Sequence, residues 1–170
     1  MNRKSVIKQI LAEANGNPIL AEEYELSSQI SPIIKEMRSL IESAKGKLKT
    51  VISIASRVES GKLSREYLSD VKKVWLNLNH IFTKLFELRN EMAKVVQGAY
   101  ANEVTPSDLA KEVISNTYRH VSNSQATSRR AYKYCCSESA DSTIEDAELC
   151  ERNMEELSKS LYAITKGMLY

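Results

Sequence analysis

The chain has 170 residues, of which 42% are hydrophobic, 27% charged and 6% aromatic, with 5 Gly and 3 Pro. This composition is too apolar for a disordered chain and too poor in turn residues for a β-sandwich or barrel. A formal net charge of +2 excludes both a polycation and an acidic mimic. Because the length fits one domain with a buried core, the composition predicts an all-α fold.

Capping and breaker residues divide the chain into predicted helices. Pro18 and Pro32 each follow a residue suited to an N-cap, so each is suited to be the first residue of a helix. Gly61 predicts a tight joint between two long helices. The predicted helices cover residues 3–14, 18–30, 32–60, 64–100, 106–136 and 142–169. We therefore divide the chain into a short N-terminal arm, residues 1–30, and a long-helix bundle, residues 31–170.

Apolar residues in three of the predicted helices recur at steps of three and four residues, the a and d pattern of a heptad. In the helix over 32–60 they are Ile34, Met37, Ile41, Ala44, Leu48, Val51, Ala55 and Val58. In the helix over 64–100 they are Tyr67, Val71, Val74, Leu78, Ile81, Leu85, Leu88, Met92, Val95 and Ala99, with Leu68, Trp75, Phe82 and Val96 on one flank. In the last helix they are Ala147, Cys150, Met154, Leu157, Leu161, Ile164 and Met168. The pattern predicts an elongated antiparallel helical bundle with coiled-coil-like heptad packing and no β-sheet.

The helix over 106–136 has a seam of small and increasingly polar residues. They are Ala110, Ile114, Thr117, Val121, Ser124, Ser128, Ala131 and Cys135. Small side chains bury little apolar area, so this seam either packs closely as a fourth helix of the bundle or forms a docking face for a partner or second subunit. The docking interpretation selects Val121, Ser124, Ser128 and Ala131 as the partner interface.

Basic and aromatic residues alternate in the same helix. They are Tyr118, Arg119, Arg129, Arg130, Tyr132 and Lys133, in a stretch without Asp or Glu. Cations that neutralise phosphates and rings that stack on bases are typical of a nucleic-acid interface. The alternative is internal pairing, because residues 138–156 carry eight acids against one arginine and begin the next helix. The sequence leaves both interpretations open.

Residues that could carry catalysis are few. His80 falls at an outward heptad position, and His120 lies beside the small-residue seam. Cys135, Cys136 and Cys150 lack the paired spacing of a zinc site, and the chain has no Gly-rich phosphate loop. We expect no enzymatic activity, no metal and no cofactor.

The whole sequence favours a protein that works by binding other macromolecules. No uncharged apolar stretch approaches the roughly 18 residues of a membrane span, and an odd number of cysteines suits a reducing compartment, so we expect a cytoplasmic protein without membrane contact. The heptad seams favour a non-enzymatic assembly, scaffold or adaptor bundle that self-associates or binds a protein partner. The alternative is a nucleic-acid-binding accessory factor that uses the basic segment, residues 118–134.

Overall fold

The computed structural model describes the backbone of residues 18–101, 108–136 and 140–167, and the side chains of residues 28–95, 115–133 and 140–162. In these residues the chain forms no β-strand and four long helices: α1 (Pro18–Glu59), α2 (Leu68–Ala101), α3 (Asp108–Cys136) and α4 (Ala140–Gly167). A short 3-10 helix, Arg65–Tyr67, precedes α2. The predicted helix over residues 3–14 lies outside the described residues, and the division into an arm and a bundle stays a prediction.

The four helices pack as an antiparallel bundle. Each helix packs against the helices next to it in sequence, and α4 also packs against α1, which closes a ring. Between α2 and α3, Lys72 lies beside Tyr132 whereas Phe86 lies beside Tyr118. Residue numbers that rise along one helix therefore fall along its neighbour. The prediction of an all-α antiparallel bundle without a sheet is confirmed for the part of the chain that the structure describes.

The apolar side of α1 forms a large part of the core. All eight residues predicted to form its seam are buried, and Ile30 extends the buried row by one turn. Met37, Leu48 and Val51 have no exposed surface. Burial contributes about 25 cal/mol for each Å² of apolar area removed from water. Steps of three and four residues keep these side chains on one side of the helix, so α1 presents a continuous apolar face to its neighbours.

The buried row of α2 differs from the predicted one by a small rotation of the helix. Trp75 and Phe82, predicted on the flank, are fully buried, while Val74 and Ile81 of the predicted seam are only partly buried. Tyr67, the first residue of that seam, is 44% exposed. Because α2 packs against α1 on one side and α3 on the other, its largest side chains face the space between those two helices.

Helix α1 continues through Pro32, where the sequence predicts a helix end. Proline has no N–H, so the carbonyl of Ser28 loses its helical hydrogen bond. Ser28 and Pro32 are exposed and water can solvate that carbonyl, while Ile30 and Ile34 on the opposite side of the helix are buried. The predicted break between residues 30 and 32 is therefore wrong, because burial of the apolar side outweighs one lost hydrogen bond.

A glycine closes the joint between α1 and α2. Gly61 has a φ of 79°, in the left-handed region that other residues rarely adopt. Its N–H donates to the carbonyl of Val58 at 3.2 Å, and the N–H of Lys62 donates to that of Arg57 at 2.9 Å, the two hydrogen bonds of a Schellman motif. The hydroxyl of Ser64 then accepts a backbone N–H at 3.2 Å and caps the 3-10 helix. The predicted tight joint is confirmed.

The bounds of α3 and α4 lie within two residues of the predicted ones. α4 begins at Ala140, two residues before its predicted start, so Thr143 and Asp146 lie in its first two turns. Both side chains are buried. The start of α4 is therefore a packed part of the bundle that contains polar residues.

Candidate interaction surface

The small-residue seam of α3 lies inside the bundle. Val121, Ser124 and Ala131 have no exposed surface, and Ser128 is 1% exposed. α3 packs between α2 and α4, and it supplies the wall that their apolar side chains need for burial. These four residues therefore hold the packed fourth-helix position, one of the two predicted alternatives. An exposed docking face made of them is not present in the structure.

Hydroxyl groups of this seam have hydrogen-bond partners within the bundle. The Ser124 Oγ donates to the carbonyl of His120 on the same helix at 2.9 Å. The Ser128 Oγ lies 2.9 Å from the carbonyl oxygen of Gln125 and 3.3 Å from Oδ1 of Asn79 on α2. A buried hydroxyl without a partner costs about 1–3 kcal/mol, so these contacts allow polar side chains in the interior.

Further polar side chains of α3 and α4 are buried. They are Thr117, His120, Thr127, Thr143, Asp146 and Asn153. Burial lowers the pKa of His120 and the charge of Arg119 lowers it further, while a hydrogen bond with Asn153 and the charge of Glu156 act in the opposite direction. The net effect favours a neutral imidazole in this contact.

An ion pair joins α3 to α4. Arg130 Nη2 donates to Asp146 Oδ1 at 2.6 Å, and Arg130 Nε lies 3.4 Å from Asp146 Oδ2. The Asp146 side chain is 6% exposed and that of Arg130 is 52% exposed. A buried carboxylate is costly without such a partner. Arg130 therefore takes part in the predicted internal pairing between the basic segment and the acidic start of the next helix.

The other residues of the predicted nucleic-acid set do not share one face of α3. Tyr118 and Tyr132 lean on α2, and Arg129 is exposed. Arg119 is exposed about 100° of helix rotation away from Tyr118. Lys133 is exposed and interacts within the chain. The segment is thus divided between the side of α3 that faces α2 and the side that faces α4.

A surface of aromatic, cationic and apolar side chains lies where α2 meets α3. We call it the α2/α3 face and define it by Lys72, Leu76, Arg89, Tyr118, Arg129 and Tyr132. The Lys72 Nζ lies 5.2 Å from the centroid of the Tyr132 ring, and the Arg89 Cζ lies 4.9 Å from that of Tyr118. The ring of Phe86 packs against Tyr118 at 5.6 Å between centroids. Each tyrosine is therefore held by a cation from the neighbouring helix.

Two residues extend this face toward solvent. Leu76 lies one turn after Lys72 and is 46% exposed, and Arg129 lies one turn before Tyr132 and is also exposed. Arg129 makes no ion pair with the residues that the structure describes. Tyr118 is 47% exposed. The face therefore presents apolar and cationic groups side by side.

A surface groove of 810 Å³ lies between α1 and α4. We call it the α1/α4 groove, which is lined by Glu42, Lys45, Lys49, Glu148, Glu151, Arg152, Glu155 and Glu156. The Lys45 Nζ lies 2.6 Å from Glu155 Oε1 and 3.7 Å from Glu42 Oε1. The hydrogen bond between Lys45 and Glu155 raises the pKa of the lysine and lowers that of the glutamate. Glu148 and Glu151 make no ion pair with any described residue, so the groove keeps negative charge.

Two carboxyl groups meet farther along the contact between α1 and α4. Glu59, the last residue of α1, lies near Asp141 in the first turn of α4. Interaction with the carboxyl group of Asp141 raises the pKa of Glu59. When both groups are charged, their repulsion acts between the two helix ends.

The histidines and cysteines considered from the sequence do not meet in a metal site among the described residues. His80 is exposed, and His120 is buried on α3. Cys150 has no exposed surface, and burial raises the pKa of its thiol to about 12, so the thiol is protonated at neutral pH. The side chains of Cys135 and Cys136 lie outside the described residues. Within those ranges no three His, Cys, Asp or Glu side chains are grouped so that they could hold a metal ion.

Comparisons with known proteins do not indicate a function for this chain. No protein-family model, no curated protein and no solved structure matches this chain. None of the described helices is long and apolar enough to cross a membrane.

The sequence did not indicate the α2 half of the α2/α3 face. Lys72 and Arg89 are scattered among the polar residues of a long helix, and only the packing shows which flank of α2 lies beside α3. One signal was available in advance. Leu76 is a large apolar residue that belongs neither to the predicted seam of its helix nor to the flank beside it.

Proposed function

We propose that the protein is a non-enzymatic macromolecular interaction protein, a helical bundle that works in assembly or as a scaffold or adaptor. The observation that carries this proposal is the α2/α3 face, where exposed Tyr118 lies against Arg89, and where exposed Leu76 and Arg129 lie one turn from Lys72 and Tyr132, which contact each other. Tyr and Arg are enriched among the residues that dominate binding energy at protein interfaces. Exposed apolar groups that adjoin such residues are typical of a surface that a partner covers.

The bundle supports this role because it orders the face before binding. Tyr118 is held by Phe86 and Arg89, and Tyr132 is held by Lys72. Ordering a flexible side chain on binding costs about 0.5–1.5 kcal/mol, so a side chain already held in place loses less. A rigid aromatic and cationic surface on two packed helices is therefore suited to specific binding.

We also propose the finer architecture that the sequence predicts, an elongated bundle with coiled-coil-like heptad packing. α1 has 42 residues, which corresponds to roughly 63 Å at 1.5 Å per residue. The regular spacing of its eight buried seam residues supports this packing. A cytoplasmic location, which the odd number of cysteines favours, belongs to the same proposal.

Photo-crosslinking from the face tests the proposed function. A benzophenone amino acid replaces Leu76 in one variant and Tyr67 in the control, in an extract of cells that express the chain. Tyr67 is 44% exposed and lies in the 3-10 helix, outside the α2/α3 face. We expect discrete protein adducts from position 76 that do not form from position 67. No adducts, or the same adducts from both positions, would overturn the proposal.

A second candidate is a nucleic-acid-binding accessory factor. One observation favours it: Lys72 and Arg89 add to Arg129, so three cations lie beside two tyrosine rings on one face. The same cations already cover the rings, which leaves less ring surface for stacking on bases. Anisotropy with labelled single-stranded and duplex oligonucleotides separates the candidates. Binding by this face would fall steeply with salt and with Arg129→Ala, and absence of salt-dependent binding would remove the candidate.

A further inference from the structure

We infer that the partner of the α2/α3 face is a second copy of this chain, which accepts the face in its α1/α4 groove. The inference rests on the proposed function, because it needs the α2/α3 face to be an interaction surface. It adds the identity of the partner and the surface on which the face docks.

Unpaired charges of opposite sign occur on these two surfaces. Arg129 of the α2/α3 face and Glu148 and Glu151 of the groove make no ion pair with the described part of the chain. Residues 115–133 of α3 include no Asp or Glu, whereas five of the eight residues that line the groove are glutamates. Unlike charges across an interface steer the encounter and fix its register. One molecule therefore carries both halves of a complementary contact.

The basic residues of the groove do not cancel its negative charge. Lys45 is engaged by Glu155 and Glu42 within the same chain. With Lys49 and Arg152 the groove has three cations against five carboxylates, a net charge of −2 for the side chains that line it. Glu148 and Glu151, which make no ion pair with the described residues, are the groups that an incoming arginine would meet.

The two surfaces lie on opposite sides of the bundle. The helices close a ring in the order α1, α2, α3, α4, so the contact between α2 and α3 is across the bundle from the contact between α1 and α4. One copy cannot reach its own groove with its own α2/α3 face, and docking must join different copies. A groove of 810 Å³ is comparable with pockets that accept several ligand groups, so it has room for a side chain such as Arg129.

A symmetric dimer through two α2/α3 faces is the competing arrangement. It would bring Lys72, Arg89 and Arg129 of one copy against the same cationic face of the other. Like charges at an interface oppose association, whereas the contact between face and groove brings unlike charges together. The favoured association is therefore head to tail, with two different surfaces in each contact.

Sedimentation velocity of charge-reversal variants tests this contact. Arg129→Glu changes the face and keeps the groove, while Glu148→Arg with Glu151→Arg changes the groove and keeps the face. The control is Arg57→Glu, which reverses an exposed arginine on α1 outside both surfaces. We expect the wild type and the control to associate at low salt, each interface variant to associate about tenfold more weakly, and salt to weaken all association.

The mixture of the two interface variants gives the sharpest result. Arg129→Glu keeps an intact groove, and the variant with Glu148→Arg and Glu151→Arg keeps an intact face. We therefore expect the two variants to associate with each other more strongly than either associates with itself. Circular dichroism of each variant checks that it is folded. If a reversal unfolds the chain, Arg129→Gln or Glu148→Gln replaces it, with the same expectation in a weaker form.

Two results would overturn the inference. One is a wild-type chain that sediments as a 19.2 kDa monomer at every salt concentration, and the other is a mixture that stays monomeric although the wild type associates. The proposed function survives either result if the benzophenone at position 76 attaches a different protein. Oligonucleotide binding that Arg129→Glu abolishes would instead support the second candidate, the nucleic-acid-binding accessory factor. If the face binds none of these, the inference and the proposed function fail together.

Discussion

Arg130 on α3 donates a 2.6 Å hydrogen bond to the buried carboxylate of Asp146 on α4, whereas its neighbour Arg129 makes no ion pair with any described residue. Successive residues on a helix point about 100° apart, so one arginine faces α4 and the other faces solvent beside α2. The two arginines therefore have different physical roles, stability for Arg130 and surface charge for Arg129.

We predict that Arg130→Ala lowers the free energy of unfolding by about 1–3 kcal/mol, because it leaves the Asp146 carboxylate buried without its cation. Arg129→Ala is the matched control and should change stability by less than about 0.5 kcal/mol. Urea unfolding of both variants measures the difference. Equal losses in the two variants would mean that the ion pair contributes nothing specific.

Two glycines of the first half of the chain should respond to alanine in opposite directions. Gly46 lies within α1 with no atom within 4 Å of the position of an added Cβ, so Gly46→Ala should stabilise the protein by about 0.5–1 kcal/mol. Gly61 has equal space but a φ of 79°, so Gly61→Ala should destabilise it by about 1–2 kcal/mol. Thermal unfolding measures both. A stabilising Gly61→Ala would contradict the Schellman joint.

Acid should weaken the bundle through His120. The pKa of this buried histidine lies below its ordinary value of 6.5, so the folded chain binds fewer protons than the unfolded chain as pH falls through that value. The unfolding free energy should therefore fall between about pH 7.5 and about pH 5. His120→Gln should reduce this fall, whereas His80→Gln at an exposed position should not. Urea unfolding at both pH values provides the test, and identical pH dependence in all three proteins would contradict it.

The carboxyl pair at the ends of α1 and α4 has the opposite dependence on pH. Because Asp141 raises the pKa of Glu59, the charged form of Glu59 is disfavoured in the folded chain. This penalty is present above the raised pKa and absent below the ordinary value of 4.5. Glu59→Gln should raise the Tm at neutral pH and leave it unchanged in acid. Added salt should shrink the gain. The exposed Glu36 on the same helix gives a control, since Glu36→Gln should not raise the Tm.

The spacing of apolar residues predicted the architecture, and the details that it predicted wrongly have specific causes. The α1 seam could be predicted because its a and d positions are apolar without interruption, and all eight of these residues are buried. On α2 large apolar residues occupy two adjacent phases, so only the positions of α1 and α3 decide that Trp75 rather than Val74 faces the centre. The break at Pro32 was wrong because Pro32 lies on the solvent side of α1, where water can bond the backbone carbonyl that the proline leaves without a donor.

The candidate surface was less accessible to sequence reasoning than the fold. The predicted basic segment places Arg129 and Arg130 on one surface, although helical rotation separates their side chains. The cations of α2 lie far away in the sequence, and Lys72 reaches Tyr132 only because the two helices are antiparallel in this register. Surfaces formed by two helices depend on which flanks meet, and a single helix pattern does not contain that information.

The helices contribute different numbers of buried apolar side chains, and we expect this difference to decide which helix opens locally at the lowest free-energy cost. α1 contributes nine buried apolar residues, while the described part of α3 contributes Val121 and Ala131, with hydroxyl and imidazole groups in the remaining buried positions. Local openings cost less where few apolar contacts are lost. Backbone amides in α3 should therefore exchange with deuterium through smaller openings than those in α1. We therefore expect native fluctuations to be concentrated in α3, while the α1–α2 hairpin stays closed.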